Sequence, residues 1–295
     1  MQITAALERF VESIERAEFL DKPADVLAKA VSKVSKGKVE DLASGTPLGH
    51  PVHPLLVAIP IGSWTSALYL DFTLGDRRAA RRLIGLGVLS AIPAAFTGAN
   101  DWVTTVEGER RVGFAHALLN DAAIGFYGAS WLARRRGQHL RGIGLSLVGA
   151  GVLSAAGWLG GHLAYALGVG VDTTAFQQFP EDWTDVAEES AISGSGLTEG
   201  DAGGVRVLLA RLDAEIVALA DRCTHRGAPL HEGTVADGCV TCPWHQSVFA
   251  LADGAVVSGP ASRPQPVAEV RVVDGRVQVR RSNEPRSLRS NPHGH

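Results

Sequence analysis

An apolar run is missing from the first fifty residues of the chain, so no removable leader is expected there. What stands in its place is polar and periodic. Ile3, Ala6, Leu7, Phe10, Val11 and Ile14 recur at helical spacing, as do Val26, Leu27, Ala30, Val31 and Val34, with Pro23 between the two sets. Residues 1–45 are therefore expected to form amphipathic helices that pack on a neighbouring domain or partner. Lysine and arginine are missing altogether between Leu167 and Arg206. Cysteine is scarce, with three in 295 residues, so each one calls for an account.

Charge is also sparse through the middle of the chain. Four apolar stretches, about 54–74, 83–101, 112–133 and 143–169, are each close to the ~20 residues a helix needs to cross a bilayer. Charged residues gather between them, as GDRRAARR (75–82) and RRRGQHLRG (134–142), whereas the opposite side carries Arg110 and Arg111 between the second and third runs and Lys36 and Lys38 before the first, which weaken the asymmetry without reversing it. The positive-inside rule places the two arginine-rich loops in the cytoplasm and both termini outside it. Residues 46–172 thus read as a four-helix membrane domain, in contact with the lipid bilayer of the cell membrane. This region resembles an uncharacterised bacterial four-helix membrane family, through GHPVHP leading into LLVAIPIGSW, GFAHALLN (113–120) and GGHLAYALGVGV (160–171).

In that topology His50, His53, His116 and His162 fall at one membrane level. Ionisable groups inside a bilayer are costly and point to function, so these four are a candidate haem b or quinone site. His116 and His162 are expected to face each other as axial ligands, with His50 and His53 at the rim. Each of the latter precedes a proline and is expected in extended geometry, with Pro54 in the first helical turn.

After a linker at 173–180 the character changes to short alternating strands. GVRVLLAR (204–211), EIVALADR (215–222), EVRVVD (269–274) and GRVQVR (275–280) are β-rich, whereas 194–204 reads as a loop and 282–295 as a disordered tail. The fold class expected is a four-helix transmembrane bundle followed by an all-β domain over 181–281. Within the β domain CTH (223–225) and CPWH (242–245) form a C-x-H and C-x-x-H pair. Two thiolates and two imidazoles at this spacing suit either one zinc or a two-iron cluster.

CTHRGAPLHEG (223–233), CPWHQSVF (242–249) and GPASRP (259–264) together resemble the Rieske [2Fe–2S] family. The resemblance implies one cluster per chain, with Cys223 and Cys242 on one iron and His225 and His245 on the other. It also implies that Ser247 donates a hydrogen bond to the cluster. Quinol-oxidising Rieske proteins have two further cysteines in a disulfide and a tyrosine beside a ligand sulfur; here those places hold Ala228, Trp244 and Phe249. Fewer hydrogen bonds to sulfur imply a potential low in the Rieske span. Cys239 reads as a small strand residue and His231 as a turn residue.

About fifty residues follow His245, too few for the mononuclear-iron domain of a Rieske oxygenase, so oxygenase activity by this chain alone is not expected. The expected role is a membrane-anchored carrier of single electrons between a quinone or haem in the helices and a partner redox protein. The cluster domain is expected outside the cytoplasm. A redox or iron sensor, and a ferredoxin passively anchored by its helices, are the other two readings. No nucleic-acid partner is expected.

Overall fold

A computed structural model of the chain describes residues 2–73, 76–192, 194 and 196–282. The expected disordered tail, Ser282 apart, lies outside the described residues. The chain divides into two compact units, Met1–Val39 with Pro51–Gly170, and Glu40–His50 with Val171–His295.

The first unit is helical. α1 (Gln2–Glu15) and α2 (Asp21–Val34) precede the long helices α4 (His53–Thr73), α5 (Arg77–Trp102), α6 (Glu107–Arg135) and α7 (His139–Tyr165). By length and apolarity α4, α5 and α7 can each cross a membrane. The 29-residue α6 is long enough too, but it carries more charge; it packs lengthwise against α7, as α4 does against α5. The arginines expected in the loops lie mostly inside helix ends, because Asp76 caps α5 by accepting from the amides of Arg78 and Ala79 (3.1 and 2.9 Å), so the helix begins at Arg77. His53, expected in extended geometry, is instead the first residue of α4. A proline disfavours helical geometry in the residue before it without forbidding it, and the His53 ring is tied to the next helix by an Nδ1 to Ala94 carbonyl contact of 2.8 Å.

α1 and α2 cover the start of α6. Val11 of α1 is buried with Val112 and Leu159, and Ala24 and Ala28 of α2 with Trp102 and Phe114. Arg111 forks onto Asp21 (2.6 and 2.8 Å), and Arg110 reaches Asp25 (2.8 Å). In the middle of the bundle Trp64 and Tyr127 stack face to face, 4.0 Å apart and 7° from parallel. Further along, Arg134 binds Asp71 through two parallel hydrogen bonds of 2.7 and 2.6 Å, with both side chains 1% exposed. Ser130 accepts from the Arg134 Nε (3.1 Å), and His139 lies 3.6 Å from Asp71.

The second unit is all-β apart from short helical turns and α3 (Lys38–Ser44), which spans the boundary. Its strands are β1 (Thr184–Glu188), β2 (Leu197–Asp201), β3 (Arg206–Leu212), β4 (Glu215–Ala220), β5 (Thr234–Ala236), β6 (Cys239–Thr241), β7 (Val248–Ala250), β8 (Val256–Ser258), β9 (Val267–Val273) and β10 (Arg276–Arg281). A six-stranded sheet is ordered β1-β10-β9-β4-β3-β2, and a four-stranded sheet β5-β6-β7-β8. All the pairings are antiparallel. The tight turns at Asp213 and Asp274 use left-handed backbone (φ 53° and 48°), which Asp tolerates better than most residues. The 194–204 segment, expected as a loop, contains β2: its glycines mask the pattern, yet Leu197–Asp201 pairs residue by residue with β3. A Cβ on Gly200 would stand 2.9 Å from the Val186 carbonyl, so the glycine serves close approach rather than disorder.

Residues 40–50 also pack with this unit, although residues 46–50 were expected with the helices. Asp41 accepts from the Gly259 amide (2.8 Å), Thr46 donates to the carbonyls of Gly259 and Ala261 (3.0 Å each), and Arg263 donates to the Gly49 carbonyl (3.1 Å).

The Asp71–Arg134 pair generates a stability prediction. Removing one partner of a buried pair costs about 3–5 kcal/mol because the other charge is stranded. Asp71→Ala and Arg134→Ala should each lower the thermal midpoint of the detergent-solubilised protein sharply, and the exchange Asp71→Arg with Arg134→Asp should recover part of the loss. Single variants that melt with the wild type would contradict the role given to the pair.

Candidate metal centre

Two loops of matching geometry follow β4 of the six-stranded sheet and β6 of the four-stranded sheet. In each, the amide of a cysteine donates to the carbonyl five residues on, Cys223 to Ala228 (2.9 Å) and Cys242 to Ser247 (2.8 Å). The amide four residues on donates back to the cysteine carbonyl, from Gly227 (2.8 Å) and Gln246 (3.2 Å). Those two residues hold left-handed backbone, φ 78° and 60°. Gln246 has no glycine's freedom, and its side-chain amide donates to the Cys242 carbonyl (3.3 Å).

This turn aims backbone amides at sulfur. The amides of His225 and Arg226 point to Cys223, and those of Trp244 and His245 to Cys242. The two thiols also share a hydrogen bond, which with its neighbouring amides pushes Cys242 down to about 6 and, together with burial, drives Cys223 up. The rings of His225 and His245 meet edge to face with centroids 4.9 Å apart. Burial, and then the positive charges of His245 and Arg226, push His225 down to about 3, so its imidazole is neutral and ready to bind metal. Its Nδ1 is buried without a hydrogen-bond partner. An orphaned imidazole nitrogen in this position costs free energy unless a metal takes its lone pair. The residues present therefore fit a group that accepts two thiolates and two imidazoles.

A third loop closes over the pair. Ser247 is fully buried and its Oγ accepts from the Ala261 amide (3.0 Å), which leaves its proton to donate elsewhere. Gly259 has φ 96°, and a Cβ there would come 2.7 Å from the Ser247 Cα. Phe249 is fully buried in the core that contains Cys223, Cys242, Ala228 and Leu230. Ala228 is buried, whereas Trp244 is 56% exposed. Cys223, Cys239 and Cys242 are all free thiols.

Residues 182–274 match the family described as "Rieske [2Fe-2S] domain". Over 78 residues, 26% of this chain and 72% of the relative, the sequence is 41% identical to the ferredoxin subunit of anthranilate 1,2-dioxygenase from Burkholderia cepacia. The chain belongs to the Rieske [2Fe–2S] family. It is also 35% identical, over 26% of this chain and 72% of the relative, to ferredoxin CarAc of Metapseudomonas resinovorans. Among solved structures it is similar to the ferredoxin of carbazole 1,9a-dioxygenase from Nocardioides aromaticivorans IC177, with 23% identity, 35% of this chain and all of that chain covered, and a TM-score of 0.33. Residues 49–173 match a second family, "Predicted membrane protein (DUF2231)". The chain thus joins a Rieske electron-transfer domain to a predicted membrane domain.

Several residues that organise this Rieske centre carry no motif. Gln265, fully buried, donates to the carbonyls of Ala220 and Arg222 (2.6 Å each) and accepts from the Thr224 amide (3.2 Å). Thr224 donates to the Arg263 carbonyl (2.8 Å) and so ties the first loop to the third. Thr173, in the expected linker, donates to the Cys223 carbonyl (2.7 Å). His231 sits in the turn as expected, held through its amide and Nδ1 by the buried Asp221 (2.8 Å each). Cys239 occupies β6, its thiol kept protonated by burial and then by Asp237 and Asp253. Only polarity within an apolar stretch could have singled out Asp221 or Gln265.

The histidines of the apolar region divide. His50 belongs to the β unit, where Arg263 lies 3.5 Å from its Nε2. His53 and His116 belong to the helical unit, where each ring meets a carbonyl of the following helix, Ala94 and Ala156, at 2.8 Å. His162 lies against the Trp158 ring (5.9 Å between centroids).

Gly259→Ala tests the third loop. Left-handed strain of about 1–3 kcal/mol and the contact with Ser247 should reduce iron and acid-labile sulfide per chain, measured on purified protein, while the helical unit keeps its circular dichroism. Full cluster content in the variant would contradict the close-approach role.

Proposed function

We propose that the chain is a membrane-anchored one-electron carrier, in which one [2Fe–2S] cluster held by Cys223, Cys242, His225 and His245 exchanges electrons with a partner redox protein. The observation that carries this reading is the difference in burial: both cysteines are fully buried, whereas both histidines are only partly buried and lie beside the exposed ring of Trp244. When bound, the cluster supplies a single-electron couple. The protein's part is to hold it with four amide donors on the cysteine side and to offer the histidine edge to a partner. The relatives with dioxygenase ferredoxin names support an oxygenase-type acceptor. The arginine count supports the proposed orientation: four arginines lie around each of the α4–α5 and α6–α7 connections and two, Arg110 and Arg111, near the α5–α6 connection. In this reading the first two connections face the cytoplasm and the Rieske domain lies outside. In this reading the bundle houses the other electron-carrying group, a haem or quinone.

The surroundings of the cluster set its potential low in the Rieske span of about −150 to +300 mV. Phe249 places no hydroxyl near sulfur, and no disulfide stiffens the loops. Ser247→Ala should lower the midpoint further, and Phe249→Tyr should raise it if the new hydroxyl reaches a ligand sulfur, both read by EPR-monitored redox titration. A wild-type midpoint near the top of the span, or a Ser247→Ala variant that titrates with the wild type, would contradict this account.

A further inference from the structure

Helices α4 and α5, and helices α6 and α7, are two copies of one hairpin. Aligned on their histidines, α4 and α6 share His53/His116, Leu55/Leu118, Ile61/Ile124 and Gly62/Gly125; α5 and α7 share Leu83/Leu145, Gly87/Gly149, Ala94/Ala156 and Gly98/Gly160 at a constant offset. The contacts repeat with the sequence. The Nδ1 of His53 meets the Ala94 carbonyl at 2.8 Å, and that of His116 meets the Ala156 carbonyl at 2.8 Å. One turn past each carbonyl is a glycine against the same ring: a Cβ on Gly98 would lie 2.6 Å from the His53 Cε1, and one on Gly160 2.9 Å from the His116 Cε1.

Equivalent residues of the two hairpins meet each other. Trp64 and Tyr127 correspond, and they stack. Asp71 and Arg134 correspond, and they form the buried ion pair. In each copy the histidine, the aromatic ring and the charged residue are separated by about three and about five helical turns, which puts all three on one face. A pseudo-twofold axis therefore runs between α4 and α6 and passes the stack and the ion pair. The third equivalent pair on that face is His53 and His116, each held by the same carbonyl contact to its own hairpin.

The chemistry of this pair is specific. In each ring Nδ1 is engaged by a carbonyl, which fixes the tautomer with the proton on Nδ1 and leaves the Nε2 lone pair as the donor atom. Outer-shell anchoring of this kind orients a ligating histidine and raises its basicity. The Asn120 amide contacts the His116 Nε2 (3.1 Å) and also donates to the His116 carbonyl (2.9 Å), so it keeps a partner if Nε2 turns to a metal. A bare zinc or copper ion asks for more protein donors than two imidazoles. An iron porphyrin brings four equatorial nitrogens of its own and asks for two axial ligands.

We infer that His53 and His116, the twofold-related pair, are the axial ligands of one iron porphyrin in the bundle, rather than His116 with His162. The assignment deepens the electron-carrier reading by naming the bundle's redox group. The ferric iron would take one electron from the reduced cluster, giving ferrous iron and the oxidised cluster, with no proton or atom transferred.

The test is a haemin titration of the full-length protein in detergent, followed by its Soret band and by EPR. Wild type should bind one haemin per chain as a low-spin bis-imidazole species. His53→Ala and His116→Ala should each lose the low-spin signal, and His53→Met and His116→Met, which keep a ligating side chain, should bind haemin with an altered axial spectrum. His162→Ala should behave as wild type. Absence of saturable haemin binding in wild type, or a low-spin signal that survives His53→Ala or His116→Ala, would overturn the inference. The Rieske EPR signal recorded on the same samples reports folding and tests the electron-carrier reading separately: haem without a Rieske signal would sink that reading and leave this one standing, and the reverse would do the opposite.

Discussion

Four backbone amides converge on two cysteine sulfurs, and most of the β unit is arranged to keep them there. Amides can aim at sulfur only from a tight turn, which requires left-handed backbone at Gly227 and Gln246. The segment leading into the first turn leaves the carbonyls of Ala220 and Arg222 without a ladder partner, and the buried Gln265 donates to both. The third loop then has to approach within glycine distance of Ser247. Each of these features makes little sense alone. Together they preorganise sulfur and imidazole donors so that a cluster changes oxidation state with little movement of its surroundings.

The helical unit solves a related problem without water. Its polar groups are paired: Asp71 with Arg134, Arg111 with Asp21, and the Nδ1 atoms of His53 and His116 with carbonyls. Small residues recur beside the large ones, so that Gly98, Gly160 and Gly149 make room for histidine and tyrosine rings on the neighbouring helix. Packing of this kind suits an apolar bundle, where close fit and hydrogen bonds, not the exclusion of water, hold helices together.

Much of this was legible in the residues. Helix number follows from the apolar runs, and the two loops that bring Cys223, Cys242, His225 and His245 together from C-x-H and C-x-x-H with their glycine and proline flanks. What escaped has physical reasons. Run boundaries mark where hydropathy changes, but helix ends are set by caps such as Asp76, so the arginines lie within helices. β2 was hidden because an edge strand with Gly200 in it lacks strict alternation. The attachment of residues 40–50 to the Rieske unit depends on single hydrogen bonds from Asp41 and Thr46 to distant backbone, which no periodicity reveals.

The central claim is that His225 and His245 bind one iron of the cluster through imidazole nitrogen. Pulsed EPR on the dithionite-reduced full-length protein tests it most directly. The account predicts nitrogen couplings from two directly bound histidine nitrogens superimposed on a Rieske spectrum. A reduced cluster without strongly coupled nitrogen, or stoichiometric zinc in place of iron, would contradict it.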